Sequence, residues 1–458
     1  MKKILLLNPY TSTSDHIQPP LGLAYLAASL RKNGFKVVLV DANKERAGVK
    51  QVLKIISQNN PDFIGVQFYS QNYDDIKQLL LQVKLNFPQI ITIVGGPHPS
   101  ALPGEILKEF GKLIDFAFCG EAELGLPKLL KNIASPKHFK SIAGLIFRKE
   151  NKIIVNPPYF SPDLDQFDYP AWDLIKPQNY PPSQHGAFFK NFPITPIITT
   201  RGCPFGCNFC SAGVNSGTLL RTRSVNNVVT EIKDLYTRYR IREFHIVDDN
   251  FTLAKTYAEK MLSAIINLKL KASFAVPNGV RLDTLDDELL FLMKQAGFYL
   301  ISVGIESGSD RILKKMNKHI TVDKIKEKLL LIKKHKLDVA GFFILGYPGE
   351  TEEEINKTIA FSLNLGLLRA NFFLFQPLPG TQVAKKFPKN SLKIDYGKLS
   401  FTKPSFSNHI SSTRLKNLQK QAFLRFYLRP KILISNLVRV RKPLQVLFLF
   451  KRVCHWLF

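Results

Sequence analysis

The chain has 458 residues, 45% of them apolar, and 64 Lys and Arg against 36 Asp and Glu, for a formal net charge of +28. That length implies two or three domains, and the apolar content excludes a wholly disordered chain. Five cysteines, three of them packed into residues 203–210, point to a metal or cluster site in a reducing compartment and not to a disulfide framework.

The opening MKKILLLNPY has only the short apolar run ILLL, too short for a signal peptide, and Asn8-Pro9 ends it. KILLLN therefore predicts a first strand, and residues 21–31 a helix. FKVVLVDAN predicts a strand after the Asn33-Gly34 turn, and residues 51–58 a helix. DFIGVQFYS is a strand, DDIKQLLLQVKLNF a helix, and ITIVGGP and DFAFCGE close the series. Alternation with near-continuous apolar strands predicts a doubly wound, Rossmann-like parallel sheet over residues 1–134. The strand ends carry Pro20, Leu21 and Gly22; Gln67, Tyr69 and Ser70; Gly95, Gly96, Pro97 and His98; and Gly120 and Glu121. In such sheets that edge is where ligands bind, although each turn also reads as an ordinary strand-to-helix connection.

Residues 135–193 are rich in Pro, Phe and Tyr. They predict a short hairpin over AGLIFRKENKIIVN and then an extended linker. From 194 to 382 the alternation resumes with PIITT, EFHIVDD, ASFAVPNGV, LISVGIES, VAGFFILGYP and ANFFLFQPLP as strands. Six such units predict a partial (β/α)6 barrel of the TIM type, with its active groups at the carboxyl ends of the strands. The loop RGCPFGCNFC follows the first of these strands, so Cys203, Cys207 and Cys210 lie at the mouth.

Three thiolates select zinc, copper(I) or an iron–sulfur cluster. A structural zinc site wants four closed ligands, and the candidate fourth, His245, falls in a strand. Three cysteines instead fit a [4Fe-4S] cluster with one iron left open.

The spacing Cys-x3-Cys-x2-Cys, with VDDNFT, GVRLD, GIESGS, LGYPGE and PLPGT following in order, resembles the radical S-adenosylmethionine superfamily over residues 194–382. PPLGLAYLA, VGGPHPS and CGEAE resemble the cobalamin-binding domain of that superfamily's cobalamin-dependent branch. The resemblance implies that Cys203, Cys207 and Cys210 ligate three irons while the fourth chelates S-adenosylmethionine. It places Asp248, Asp249 and Asn250 at the methionine amine, Arg281 near the carboxylate or ribose, Glu306 at the ribose or amine, and Gly346 with Pro348 beside the adenine. The strand-end residues of the first domain become cobalamin contacts. Each has an alternative: an Asx turn or helix cap for the aspartates, a surface ion pair for Arg281, plain core packing for Phe205 and Phe209. Asp15-His16 does not form the Asp-x-His-x-x-Gly motif of histidine-ligated cobalamin proteins.

From residue 396 onward there are thirteen Lys or Arg and no Asp or Glu. Within this basic helical extension, residues 383–458, Leu415, Leu418, Ala422, Phe423 and Phe426 recur at helical spacing; after Pro430, apolar runs are broken by Arg439, Arg441 and Lys442. Docking on an anionic membrane surface is the favoured expectation, ahead of packing on the barrel or binding nucleic acid. Cys454 is read as a bystander. The expected protein is a cytoplasmic enzyme, peripheral to the membrane, that methylates a hydrophobic small molecule using the cluster, S-adenosylmethionine, cobalamin and a one-electron reductant. The alternatives are a cobalamin-independent, cyclising or rearranging relative, or an RNA-modifying one.

Overall fold

The computed structural model describes residues 2–11, 17–182, 184, 189–387, 396, 399–402, 409–440 and 446. Asp15, His16, Arg441, Lys442 and Cys454 lie outside them.

The first sheet has seven strands: β1 (Lys3–Asn8), β2 (Lys36–Asp41), β3 (Phe63–Gln67), β4 (Ile91–Gly95), β5 (Phe116–Phe118), β6 (Leu145–Lys149) and β7 (Lys152–Val155), in the order β2-β1-β3-β4-β5-β6-β7. The first five are parallel. Ile4, Leu5, Leu6 and Leu7 of β1 are all buried, because helices cover both faces of the sheet. The expected hairpin forms as β6 and β7. It is no part of a linker, however: Phe118 and Ala117 of β5 pair antiparallel with Leu145 and Ile146, so the hairpin extends the first sheet. Among the described residues, the chain then crosses to the second unit through a short helix, Trp172–Ile175, and brief turns.

The second sheet consists of β8 (Ile194–Ile197), β11 (Glu243–Ile246), β12 (Ser273–Val280), β13 (Phe298–Glu306), β14 (Asp338–Leu345) and β15 (Arg369–Leu374), parallel and in sequential order. Between β8 and β11, the two-residue strands β9 (Thr200–Arg201) and β10 (Arg221–Thr222) pair antiparallel. β8 stops at Ile197, short of the predicted PIITT. The reason is Asp248: its carboxylate accepts from the N–H and hydroxyl groups of Thr199 and Thr200 at 2.5–3.0 Å, pulling those residues out of the ladder.

The C-terminal extension corrects an expectation. Over Ser412–Tyr427 it is a helix whose Leu415, Leu418, Ala422, Phe423 and Phe426 are buried in the protein rather than offered to a membrane. Gln419 Nε2 donates to the Phe372 carbonyl at 2.6 Å, and Tyr427 Oη bonds both N–H and C=O of Ala370. The helix thereby satisfies main-chain groups along the edge strand β15 that would otherwise be open to pairing.

Candidate active site

The cysteine loop leaves β8 and is closed at its base by β9 and β10. Gly202 makes the crossing at φ +93°, where an added Cβ would sit 2.1 Å from the Leu219 carbonyl oxygen, so only glycine passes. The Asn208 N–H donates to Met316 O (2.9 Å) and Asn317 Nδ2 to Gly206 O (2.8 Å), tying the loop to the C-terminal end of the short helix Asp310–Lys315 that follows β13. The thiols of Cys203, Cys207 and Cys210 are unpaired and line one cavity of about 330 Å³. Burial pushes the Cys210 thiol up to about 11 and raises Cys203 as well, so binding of metal has to displace protons. His245, the alternative fourth zinc ligand, lies elsewhere: its Nε2 meets Glu243 at 2.9 Å at the start of β11, whereas the thiols lie beyond the carboxyl ends of the strands.

The same cavity takes in Asp249, Asn250, Arg281 and Glu306 from the ends of β11, β12 and β13. Arg281 is not a surface ion pair. It is buried, bridged to Asp283 at 2.7 and 2.9 Å, and its guanidinium carbon stands 3.7 Å from the Phe205 ring centroid with Nη1 3.9 Å from Cys207 Sγ. Glu306 adopts φ +65° and forms a buried ion pair with Lys318 Nζ at 2.7 Å. Burial alone would lower the lysine, yet Glu306 and Cys207 hold it above its usual range. Asn250 lines the cavity and is buried, its Nδ2 an orphaned donor among the described residues. Free thiols for three irons and an orphan donor beside them fit a cluster with bound S-adenosylmethionine.

Asp248 and Gly346 stand apart from this group. The Asp248 carboxylate is saturated by its four threonine donors, and burial raises it to about 6. Gly346, at φ +77°, faces the C-terminal helix: a Cβ there would meet Leu415 at 2.9 Å.

Two further cavities lie between the first sheet and the barrel mouth. One of about 270 Å³ is lined by Gly22, Gln67, Gly95, Gly96, Gly120 and Glu121; the other, of about 370 Å³, by Pro20, Leu21, Gly22, Gln67 and Tyr69. A Cβ on Gly22 or Gly95 would find no atom nearer than 3.9 Å, so packing does not demand glycine there; a side chain would fill the cavity instead. Such a cradle fits a large planar ligand against the backbone. Ser70, Pro97 and His98 line neither cavity. His98 is wholly buried, its Nδ1 2.9 Å from Ser70 Oγ and its ring stacked on Phe68, and burial lowers it to about 4.

Ion pairs join the two units beside these cavities. Arg201 meets Glu121 (3.1 Å) and Glu123 (2.8 Å), and Arg221 meets Glu121 at 2.9 Å. Burial would depress Arg201, but Glu123 and Glu121 keep it above its ordinary range. Glu121 thus spends its charge on arginines. Sequence alone missed Lys318, Arg201 and Arg221, because nothing marks which of 64 basic residues are buried.

Comparison with known proteins agrees with this layout. The Radical SAM superfamily matches residues 197–362 and the B12 binding domain residues 8–130. An uncharacterized methyltransferase of Pyrococcus horikoshii is 31% identical over 446 residues, 95% of each chain. Cytidylyl-2-hydroxyethylphosphonate methyltransferase of Streptomyces wedmorensis is 28% identical, covering 84% of this chain and 81% of its own. The structure of the radical S-adenosylmethionine methyltransferase TsrM from Kitasatospora setae superposes with a TM-score of 0.69 at 19% identity, covering 84% of this chain and 76% of that one. The chain therefore belongs to the cobalamin-dependent radical S-adenosylmethionine enzymes, which work with a [4Fe-4S] cluster, S-adenosylmethionine and cobalamin.

Proposed function

We propose that the enzyme transfers a methyl group to carbon on a hydrophobic small molecule. The observation that carries this reading is Asp249, which lines both the cysteine cavity and the glycine-lined cavity, so that a methyl donor and a hydrogen-abstracting centre would share one wall. When bound, the cofactors supply the electron, the radical and the methyl group. The chain's own residues bind and orient. Cys203, Cys207 and Cys210 hold the irons. Asp249 sets a carboxylate opposite the methionine ammonium, a pairing strengthened where water is excluded. Asn250 Nδ2 donates to a carboxylate or ribose oxygen, and the Glu306–Lys318 pair and Arg281 fix the polar end of the same ligand. Gly22, Gly95 and Gly96 let a corrin ring approach the backbone, with Pro20, Leu21, Gln67, Tyr69 and Gly120 around it. The cobalamin-holding unit then runs from residue 1 through the hairpin to 155, the barrel from 194 to 382, and the extension from 383.

No helix among the described residues is long and apolar enough to cross a membrane. The membrane expectation moves to the next helix, Pro430–Arg439, where Leu433, Ile434 and Val438 are exposed beside Lys431 and no acid occurs. Sedimentation with anionic but not neutral vesicles, and no retention on RNA, is the expected behaviour of that segment.

Anaerobic reconstitution with iron, sulfide, S-adenosylmethionine and cobalamin tests the main reading. Expected are corrinoid absorbance that survives desalting, release of 5′-deoxyadenosine, and a gain of one methyl mass in a cell extract. Loss of two hydrogens instead would make it a cyclase; no 5′-deoxyadenosine would end the proposal. Cys207→Ala should lose the iron chromophore and leave corrinoid binding.

A further inference from the structure

The cysteine cavity has two unlike halves. Its charged residues are Asp249, Arg281, Glu306 and Lys318, and each is engaged at the cysteine end. Asp249 accepts from the Gly202 N–H, Arg281 lies on Phe205, and Glu306 is paired with Lys318, whose Nζ stands 5.9 Å from the Phe209 ring centroid. The opposite half, built from β14, β15 and the segment after the barrel, has no charged group among the described residues. Along these strands the phenylalanines alternate: Phe343 and Phe372 are buried in the outer core, stacked at 5.2 Å, while Phe342 and Phe373 face the cavity half-exposed. Phe401 completes the wall, 37% exposed, its ring centroid 5.4 Å from that of Phe373, which in turn is 5.9 Å from that of Phe342. Facing Phe342, β12 carries Gly279 at φ +100°, whose missing side chain leaves the slot open.

Three adjoining rings with no cation beside them among the described residues make a poor site for an anion and a good one for a flat ring, which gains from stacking as well as from burial. We infer that the methyl acceptor presents an uncharged, planar aromatic or conjugated ring to Phe342, Phe373 and Phe401. This rests on the methyltransferase reading and narrows its substrate class.

The probe is Prodan, a neutral, planar naphthalene dye whose emission shifts blue on leaving water, titrated into the reconstituted enzyme. Expected is saturable binding that naphthalene-methanol displaces but that decanol and phenylphosphonate do not. Phe342→Leu and Phe401→Leu keep the surface apolar and remove a ring. Each should weaken Prodan roughly fivefold, the size of one aromatic contact. The Phe401 main chain is held independently, by the Leu374 N–H and Gln419 donating to its carbonyl, so that variant keeps its fold. Equal binding in both leucine variants, displacement by decanol as readily as by naphthalene-methanol, or stronger displacement by phenylphosphonate would each overturn the inference. 5′-Deoxyadenosine release, measured in the same samples, separates the two failures: if it persists while Prodan does not bind, only the substrate class is wrong.

Discussion

Glu350 shows what burial does to a single carboxyl. It is 1% exposed; one oxygen accepts the Gly346 and Tyr347 N–H groups at 2.7 and 3.0 Å, and Oε1 has no partner among the described residues. Burial raises it to about 8, so the folded state holds a proton that the unfolded chain has released above the ordinary glutamate range. The folded state then binds more protons than the unfolded one, and stability falls as pH climbs toward 8. Glu350→Gln reproduces the neutral form. Between pH 5 and 8 the thermal midpoint of the parent should decline relative to that of the variant by an equivalent of on the order of 3 kcal/mol. Parallel slopes in a thermal-shift series would show that Glu350 ionises freely. Asp248 shows the same effect beside the active cavity. VDDN offered two aspartates and an asparagine for one ligand, and the two threonines that saturate Asp248 lie 48 and 49 residues earlier in the chain.

The helix Ser412–Tyr427 illustrates how one pattern serves two environments. Its apolar stripe reads alike for a membrane interface and for a protein core, because both reward the same burial. The discriminating residues are polar: Gln419 and Tyr427 reach main-chain groups of β15 and the segment after it, partners that a bilayer does not offer. Phe426, fully buried against Phe372 at 6.2 Å, should cost about 3–5 kcal/mol when cut to alanine, whereas exposed Lys420→Ala should stay within about 0.5 kcal/mol. Urea unfolding distinguishes them; equal midpoints would detach the helix from the barrel.

The two units are coupled through Arg201. Its guanidinium is enclosed by Glu121 and Glu123 of the first unit and stands 4.9 Å from the Tyr25 ring centroid, with the glycine-lined cavity alongside. Removing it strands the buried Glu123 carboxylate and leaves Glu121 to Arg221 alone; breaking a buried pair in this way typically costs about 3–5 kcal/mol. Arg201→Gln should therefore split a single calorimetric transition into two, one for each unit, and weaken corrinoid retention. A single unshifted transition would mean that the units are held by other contacts.

Hydrophobic periodicity and short motifs carried the two α/β units, the succession of strands along the chain and the cysteine loop, because these features depend on residues near one another in the chain. KILLLN, ITIVGGP and RGCPFGCNFC name their own conformations through local sterics and ligand chemistry. Folding decided how distant side chains pair. It joined the hairpin to the first sheet, gave Asp248 to the threonines and left Asp249 and Asn250 to the cavity, buried Lys318 against Glu306, and turned Glu121 toward arginines 80 and 100 residues away. Such choices rest on competition among many similar polar groups for a few desolvated partners, and that competition is settled only when the chain is packed.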